Sequence, residues 1–449
     1  MLRSLLFLVI FLLPFLIFAQ STQTTWDLNT CLAYARENNI NIKQADIQAK
    51  IEQVQLRETK NSLLPTASIS SMQVVQFGRT IDPNTNNFID INILASRFQF
   101  SGAMPLVNFG GIKNLIRAEK NNADAAILNT ENTSNDVLLT VTAYFMRAVL
   151  SKEQIKLYEL DLKKTKLQID LLKEAILMGA TGSLNLHRLQ TRNALDSVNY
   201  IDAITNYQNS IIALQALLNV DFKNQFSIES PVLDNYDAQS ISELKTPELI
   251  YEIALKQNVK SKINILQTTS YQYKIKSTLG SRYPNLSFVY NASSLFANII
   301  KDKPVKQWWE GYGAQMSTNF NQIIGFNLNI PIANNGVLKT TYSRDKLVIK
   351  GLLNEKNGIE VELKKNIYSA SSLALGAYLK MNEVRKTVES SQAVFDMVFE
   401  HFKLGGIGSQ ELIMAQDDLL KAKQVLLSNI IDLYFKLKMI DFYKTGQIR

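Results

Sequence analysis

The sequence predicts a mainly α-helical protein with a small β part, built from two tandem copies of one structural repeat. Two apolar seams, from Val137 to Ile176 and from Leu363 to Phe402, step alternately by four and three residues, which is the heptad pattern of coiled-coil helices. The seams share one frame, because Val137 corresponds to Leu363 and Ile176 to Phe402. The 449 residues include only nine prolines, which favours long uninterrupted helices.

Residues 1–19 have the composition of a secretory signal peptide. A short positive region around Arg3 is followed by an apolar run from Leu5 to Phe18, and Ala19 provides a small residue at the cleavage position. A membrane anchor is the alternative interpretation, but the run is short for a bilayer span. We therefore expect this segment to be removed on export.

The remaining chain, 20–449, is predicted to form one unit. Repeat 1 covers 26–220, a polar connector covers 221–246, and repeat 2 covers 247–446. The single cysteine, Cys31, cannot form an internal disulfide and lacks the small preceding residues of a lipid-carrying cysteine. We interpret it as a buried apolar side chain of the first helix.

Each repeat is predicted to open with a helix that ends before a proline. The first helix runs from Trp26 to about Leu63, and its counterpart runs from Pro247 to about Tyr283. Ala35, Asn39 and Pro65 correspond to Ala254, Asn258 and Pro284. Proline restricts the residue before it and cannot continue the hydrogen-bond ladder, so both helices are expected to stop there.

After each proline the pattern changes to the two-residue period of β-strands. Four strands are predicted, at about 66–77, 91–104, 285–296 and 316–330. Such strands fit either a transmembrane β-barrel or a soluble sandwich. The loop before the fourth strand contains Trp308 and Trp309, which fit either loop packing or an aromatic belt at a membrane interface.

A long helix, a glycine turn and a returning helix then complete each repeat. The long helices begin near Ile112 and Leu338, and the first would extend for roughly 100 Å. The turns are Gly179–Ser183 and Gly405–Ser409, in which glycine accepts the left-handed conformation and the serine can cap the next helix. The returning helices carry apolar seams from Leu195 to Leu218 and from Leu412 to Ile440.

Four strands in one chain are too few to hide their own edges. A hairpin leaves edge strands uncovered, and two hairpins still cannot close a barrel. Unpaired backbone groups are not tolerated in lipid. If these strands span a membrane, several chains must therefore combine.

The order of elements and its duplication resemble the TolC family of outer-membrane efflux proteins. The resemblance covers the chain from Trp26 to about Gly446 and rests on four proline sites and the two glycine turns. The proline sites are Leu64-Pro65 and Tyr283-Pro284 before the first strand of each repeat, and Pro105 with Gly110 and Pro331 with Gly336 after the second. The resemblance implies a TolC-like protomer whose long helices form an α-barrel. It also implies that the four strands contribute to a twelve-stranded transmembrane β-barrel shared by a homotrimer.

The resemblance further implies an exit duct in the outer membrane of a Gram-negative bacterium, with a large periplasmic part and with outer-membrane lipid around its barrel. Such a duct belongs to a tripartite efflux or type I secretion system. It conducts substrate passively when engaged by a periplasmic adaptor (membrane fusion protein) and an inner-membrane pump of the resistance-nodulation-division or ABC type. The alternative is a non-channel periplasmic or cell-surface coiled-coil scaffold protein.

By the same resemblance, the site residues lie around the glycine turns. Family members narrow the tunnel with side chains just after the second turn, so the gate candidates are Glu411, Asn185, Phe402 and Met414. The candidates for the hairpin tips and for adaptor docking are Gly179, Gly182, Ser183, Gly405, Gly408 and Ser409. The family's best-studied type has a second acid where this chain has Met414, so the narrowing is expected to carry less negative charge.

The residue patterns of the common enzyme classes are missing from the sequence. There is no zinc-hydrolase helix motif, no nucleophile elbow and no pair of cysteines, and Asp417 and Asp418 point to different faces of one helix. We therefore predict no catalytic residue, no cofactor and no metal, and we interpret His187 and His401 as surface residues. The net charge of +8 is spread along the chain, so nucleic acid is not a predicted partner.

Overall fold

A computed structural model describes residues 25–81, 85–90, 92–179, 182–224, 226–231, 238–300 and 303–446. The predicted signal peptide, 1–19, lies outside these residues. The elements in chain order are β1 (Thr25–Trp26), α1 (Leu28–Asn38), α2 (Ile40–Asn61), β2 (Thr66–Gln76), β3 (Arg79–Ile81), β4 (Phe88–Asp90), β5 (Ile93–Val107), α3 (Gly111–Leu177), α4 (Ser183–Leu218), β6 (Ser227–Ile228), α5 (Ala238–Glu243), α6 (Pro247–Gln257), α7 (Val259–Gly280), β7 (Asn285–Ile299), α8 (Tyr312–Thr318), β8 (Asn321–Asn329), α9 (Val337–Lys403) and α10 (Ser409–Thr445).

The chain forms two compact units that do not coincide with the two sequence repeats. Unit 1 contains the residues up to Asp46, Thr130–Val259 and the residues from Ile359 onward. Unit 2 contains Ile47–Asn129 and Lys260–Gly358. Corresponding segments of both repeats therefore pack in the same unit, which is what a structural duplication requires.

In unit 1 the heptad seams of the long helices α3 and α9 form much of the core. Their seam residues are buried or half-buried, as the four-and-three spacing predicts. One apolar cluster surrounds Phe145 and Leu214, and a second surrounds Ile367 and Leu433. A third, which contains Leu189 and Leu412, lies near the glycine turns. Among the described residues, no helix is both long enough and apolar enough to cross a membrane.

Both opening helices are interrupted, whereas the sequence predicted continuous ones. Asn39 separates α1 from α2, and the corresponding Asn258 separates α6 from α7. Asn39 has a non-helical ψ of 133°, and its Oδ1 accepts a hydrogen bond from the Asn41 N–H at 2.8 Å, which caps the start of α2. Asn258 likewise has a non-helical ψ of 113°. An asparagine at the same place in both repeats thus divides a pattern that periodicity alone reads as one helix.

Unit 2 contains an antiparallel sheet of four strands in the order β2-β5-β7-β8. The second strand continues past its predicted end at 104, because Pro105 is accommodated next to an irregularity between Pro105 and Val107. The fourth strand begins at Asn321 rather than 316, since residues Tyr312–Thr318 form α8. Position 91, the predicted start of the second strand, lies outside the described residues.

The strand register gives this sheet one apolar and one polar face. Residues that pair across strands share a face, and Phe288 pairs with both Met104 and Phe326. The apolar face carries Ala67, Ile69, Phe98, Phe100, Met104, Leu286, Phe288, Tyr290, Phe296, Ile324, Phe326 and Leu328, and toward the loop end it also carries the polar residues Ser71, Gln73, Ser96, Ser294, Asn298 and Gln322. The opposite face is mainly polar, with Ser68, Ser70, Gln99, Ser101, Asn285, Ser287, Asn291, Asn327 and Asn329, and it also carries Met72, Val74, Val289, Leu295 and Ile323. Ile324 is 71% exposed and Phe326 is 70% exposed, so the apolar face is open along β8.

Candidate functional site

The glycine turns end α3 and α9 with the same backbone conformation. Gly179 has φ 71° and Gly405 has φ 75°, both in the left-handed region that glycine adopts without steric cost. After α9, the Gly405 N–H donates to the Phe402 carbonyl at 3.0 Å and the Gly406 N–H donates to the His401 carbonyl at 3.0 Å. These two bonds form a Schellman motif, which satisfies carbonyls that the helix end would leave unpaired.

The last glycine of each turn is the N-cap of the returning helix. Gly182 and Gly408 have φ −88° and −83°, an extended conformation that is open to any residue. Ser183 and Ser409 are the first residues of α4 and α10, so the prediction that these serines cap the helices is wrong. The extended residue before a helix takes the cap position, and that residue is glycine in both turns.

A hydrogen-bonded contact joins the start of α4 to the start of α10. Oδ1 of Asn185 accepts hydrogen bonds from the Ser409 hydroxyl at 2.9 Å and from the Ser409 N–H at 3.3 Å. The Asn185 side chain therefore satisfies a backbone donor at the start of α10, which the glycine cap cannot do. A Cβ atom at Gly408 would lie 3.2 Å from Oε2 of Glu411 and 3.7 Å from Oδ1 of Asn185, so this contact is tightly packed.

The four gate candidates lie in different surroundings. Glu411 is exposed on the first turn of α10, and Met414 is 58% exposed on the next turn. Asn185 is half-buried beside Ser409. Phe402 is buried in the apolar cluster that contains Leu412. Glu411 and Met414 are therefore on the surface of unit 1, whereas Phe402 packs the helices together.

Further along the same helices, one arginine is buried among three carboxylates. Arg192 on α4 forms ion pairs with Asp161 on α3 at 3.1 Å, with Asp196 one turn later at 2.7 Å, and with Asp417 on α10. The side chains of Arg192, Asp161 and Asp196 are each less than one tenth exposed. Nε of Arg192 and Oδ1 of Asp196 have no aligned hydrogen bond, so that contact is ionic only. We call these four residues the charge cluster; it ties three helices of unit 1 to one guanidinium.

Neutral polar groups complete the surroundings of the charge cluster. The Gln416 amide nitrogen donates to Oδ1 of Asp161 at 2.8 Å and to the Thr165 hydroxyl at 3.0 Å. The Thr165 hydroxyl in turn donates to Oδ2 of Asp196 at 2.6 Å, and the Gln168 amide donates to Oε1 of Gln416 at 2.7 Å. The buried carboxylates are thus held by hydrogen bonds as well as by charge, which is the condition under which buried charges are tolerated.

Burial raises the pKa of the Asp161 carboxyl, against the hydrogen bond from Gln416 and the charge of Arg192, which lower it. Burial also raises the pKa of the Asp196 carboxyl, although the hydrogen bond from Thr165 opposes the change. Burial is the largest cause for both carboxyls, and at Asp196 the negative charges of Asp161 and Asp417 raise the pKa further. Folding therefore makes Asp161 and Asp196 easier to protonate. The ion pairs of the charge cluster hold α3, α4 and α10 together, and the cluster presents no nucleophile to a substrate.

Sequence reasoning missed this cluster because each member follows the helical pattern of a solvated residue. Arg192 and Asp196 are four apart on one helix, which is also the spacing of an ordinary surface ion pair. Only Thr165, a polar residue inside the apolar seam of α3, signalled a polar layer. Asp417 and Asp418 do lie on different faces, as predicted: Asp417 contacts Arg192, and Asp418 is exposed.

Comparison with known proteins was informative only at the level of structure. No protein-family model matches the chain, and a search of curated proteins finds no match. The Campylobacter jejuni CmeC outer membrane channel superimposes with a TM-score of 0.74 at 17% identity, over 93% of this chain and 85% of that one. The Vibrio cholerae outer membrane protein VceC gives 0.73 at 12% identity, over 92% and 95%. The open state of the Neisseria gonorrhoeae MtrE outer membrane channel gives 0.71 at 15% identity, over 93% and 88%.

These superpositions define the class of fold. The chain has the TolC-like fold of solved outer-membrane channels, matched over nearly its whole length. The prediction of a mainly α-helical, TolC-like protomer with a small β part is therefore confirmed. Sequence identities of 12% to 17% establish the shared fold alone.

Proposed function

We propose that three copies of this chain assemble into an outer-membrane exit duct of a tripartite efflux or type I secretion system. The observation that carries this proposal is the sheet of unit 2. It has an open apolar face, a polar opposite face, and edge strands β2 and β8 that each pair with one strand among the described residues. A polar face suits a water-filled interior and an apolar face suits lipid.

Further copies would remove the two free edges. Edge strands expose unpaired N–H and C=O groups, which hydrocarbon does not tolerate. Pairing β2 of one copy with β8 of the next would satisfy both edges, and three copies would supply twelve strands. Known channels of the same fold, such as CmeC and MtrE, support the assignment to the outer membrane.

The returning helix α4 offers a second surface for a neighbouring copy. Leu195, Val198 and Ile201 were predicted to form a packed seam, but they are 57%, 53% and 60% exposed. Apolar side chains at helical spacing on a solvated surface indicate a partner. We assign this surface to contacts between copies in the homotrimer.

The hairpin tips are the proposed docking surface for a periplasmic adaptor, which would link the duct to an inner-membrane pump. Exposed apolar side chains flank the turns at Leu177, Met178, Leu184 and Leu404. Gly179 and Gly405 fix the shape of these turns, and Asn185 joins them through Ser409. Such a patch suits another helical hairpin better than it suits water.

Glu411 and Met414 are the proposed lining of the opening, because both are exposed on the first two turns of α10. Three copies of Glu411 would place a ring of carboxylates there. Neutralising this ring in Glu411→Gln is expected to change single-channel conductance and its block by divalent cations. The matched control is Glu383→Gln, which removes another exposed acid, one in a surface pair with Lys386. Identical currents in both variants would remove Glu411 from the opening.

The test of the duct itself is the mass and conductance of the purified particle. We expect a trimer to be extracted from the outer membrane in mild detergent and to form pores in planar bilayers. A soluble monomer released by osmotic shock would refute the duct and favour the alternative, a periplasmic or cell-surface coiled-coil scaffold.

A further inference from the structure

The segment between β7 and β8, Lys303–Asn319, folds back onto the sheet instead of projecting from it. We call it the collar; it contains a three-residue helical turn, Val305–Gln307, and the helix α8. The Asn298 amide donates to the Gln307 carbonyl at 3.1 Å and to the Trp308 carbonyl at 2.9 Å. The Ser294 hydroxyl donates to the Met316 carbonyl at 2.6 Å. Side chains alternate between the two faces of a strand, so Ser294 and Asn298 lie on the same face as Phe288 and Phe296. These bonds therefore attach the collar to the apolar face.

The collar also replaces the missing part of the fourth strand. β8 pairs with β7 only between Asn285 and Ser293, although β7 continues to Ile299. Beyond that point the Ala297 N–H donates to Oε1 of Gln315 at 3.1 Å, and the Asn319 amide donates to the Leu295 carbonyl at 2.7 Å. Side chains of the collar thus satisfy backbone groups that a strand would otherwise pair, as a lipid environment demands.

Aromatic packing holds the collar in place. Phe296, on the apolar face, is completely buried under Trp309, with ring centroids 5.8 Å apart and an interplanar angle of 12°, and under Tyr312 at 5.0 Å. Trp308 Nε1 donates to the Lys303 carbonyl at 3.2 Å, so this tryptophan forms a hydrogen bond within the collar. Trp309 instead leaves 42% of its surface exposed above Phe296.

The outer surface of the collar continues the apolar face and then becomes polar. Val305 and Trp309 are exposed, and Phe320, between the collar and β8, is exposed as well. The charged residues Lys303, Lys306 and Glu310 are also exposed on this segment. Tryptophan with an apolar ring and a polar N–H prefers the depth at which lipid headgroups meet acyl chains.

We propose that the collar is the lipid-boundary element of the sheet, with Trp309 at the junction of headgroups and acyl chains in one leaflet. This proposal rests on the proposed function, because it requires the sheet to lie in a bilayer. As a consequence, the collar would set how deeply the sheet lies in the bilayer. The exposed side chains of the neighbouring β8 include Ile324 and Phe326, whereas those of the collar are partly apolar and partly charged.

The three tryptophans of the chain make the proposal testable by fluorescence. The variant Trp26→Phe with Trp308→Phe keeps only Trp309, and the variant Trp308→Phe with Trp309→Phe keeps only Trp26. Both full-length variants are reconstituted into phosphatidylcholine vesicles with bromine atoms either near the headgroup or near the chain ends. We expect Trp309 emission to lose more intensity to shallow than to deep bromines, and Trp26 in unit 1 to lose none.

Flotation with the vesicles and pore formation are measured on the same samples, so that the two proposals fail separately. A chain that floats and conducts while Trp309 is quenched only by aqueous acrylamide overturns the collar proposal and leaves the duct intact. Stronger quenching by deep bromines overturns it too, because Trp309 would then lie in the bilayer core. A chain that does not float overturns the proposed function. The single substitution Trp26→Phe, which leaves the collar unchanged, repeats the test if a double variant fails to fold.

Discussion

The two returning helices α4 and α10 occupy the same place in their repeats, yet only α4 has charged residues among those it buries. On α10 the apolar seam is buried, with Leu412 and Leu433 fully inaccessible. On the tip half of α4 the seam is exposed at Leu195 and Ile201, and Arg192 and Asp196 are buried instead. Duplication therefore preserved the length and the capping of the helix but not what its inner face contacts.

The difference shows that a heptad seam predicts a packing partner but does not predict whether the same chain or another chain provides it. α10 finds its partner inside the chain, through the clusters around Leu412 and Leu433. α4 turns part of its seam outward, and beyond the buried Leu189 its inner face meets α3 and α10 through the ion pairs of Arg192. A buried charged layer is less stabilising than apolar packing of equal volume, but breaking it by removing one partner is costly. The two faces of α4 should therefore respond very differently to substitution.

The largest effect is expected for Arg192→Met. It leaves Asp161 and Asp196 buried without their cation, and removing one partner of a buried ion pair costs about 3–5 kcal/mol. The thermal unfolding midpoint of the full-length chain in detergent, followed by circular dichroism, should fall accordingly. The control is Arg188→Met, which removes an exposed cation one turn earlier on α4. Equal midpoints for both variants would contradict a structural role for the charge cluster.

The same experiment can separate lost charge from lost packing. Adding Asp161→Asn and Asp196→Asn to Arg192→Met removes the uncompensated carboxylates and keeps their shape. We expect much of the lost stability to return, because the penalty comes from buried unpaired charge. If the triple variant is as unstable as Arg192→Met alone, the arginine acts through its packing and not through its charge.

The next effect tests the outer face of α4. Ile201→Lys places a charge in the exposed seam, and burying an isoleucine side chain is worth about 1.5–3 kcal/mol. If this face contacts another copy, the mass of the solubilised particle should shift from trimer toward monomer. Thr387→Lys, which adds the same charge at an exposed position of α9, should leave the mass unchanged. A trimer of normal stability in Ile201→Lys would exclude this seam from the contacts between copies.

The comparison also shows what the sequence could and could not predict. The buried seams of α3, α9 and α10 follow from periodicity, because residues three and four apart lie on one helical face. The exposed half of the α4 seam has the same period, so periodicity alone does not show that its packing partner is missing from this chain. The break at Asn39 depends on a side chain that accepts a hydrogen bond from the backbone two residues later, and in the collar Gln315 and Asn319 replace the pairing of a strand. Such specific hydrogen bonds do not show in the periodicity of apolar residues.

A smaller effect on stability is expected at the glycines of the two turns, Gly405 after α9 and Gly182 before α4. Gly405→Ala forces a left-handed conformation on a residue with a Cβ atom, which costs about 1–2 kcal/mol. Gly182→Ala is the comparison, since Gly182 is extended and no heavy atom lies within 4 Å of the added carbon, so that only the weaker N-cap preference of alanine is felt. Thermal midpoints should therefore fall further for Gly405→Ala than for Gly182→Ala. Equal changes in both would mean that the tip turns tolerate other conformations.

The smallest effect is the pH dependence of stability that α4 and its partners contribute. The raised pKa values of Asp161 and Asp196 mean that the folded chain binds protons more tightly than the unfolded chain. This contribution to stability is complete below the ordinary aspartate pKa of about 3.9 and is lost as pH rises through the raised values. The loss should be modest, because Gln416, Thr165 and Arg192 each oppose the effect of burial.

The measurement is the thermal midpoint as a function of pH, compared between the natural chain and Asp196→Asn. The variant should lose less stability on going from acidic to neutral pH, because one of the two strained carboxylates no longer ionises. Asp170→Asn serves as control, since Asp170 is 69% exposed beside Lys173 and should leave the slope unchanged. A slope that is the same in all three chains would mean that both carboxylates stay ionised in the folded state. The positive charge of Arg192 would then stabilise the ionised carboxylates of Asp161 and Asp196 without a bound proton.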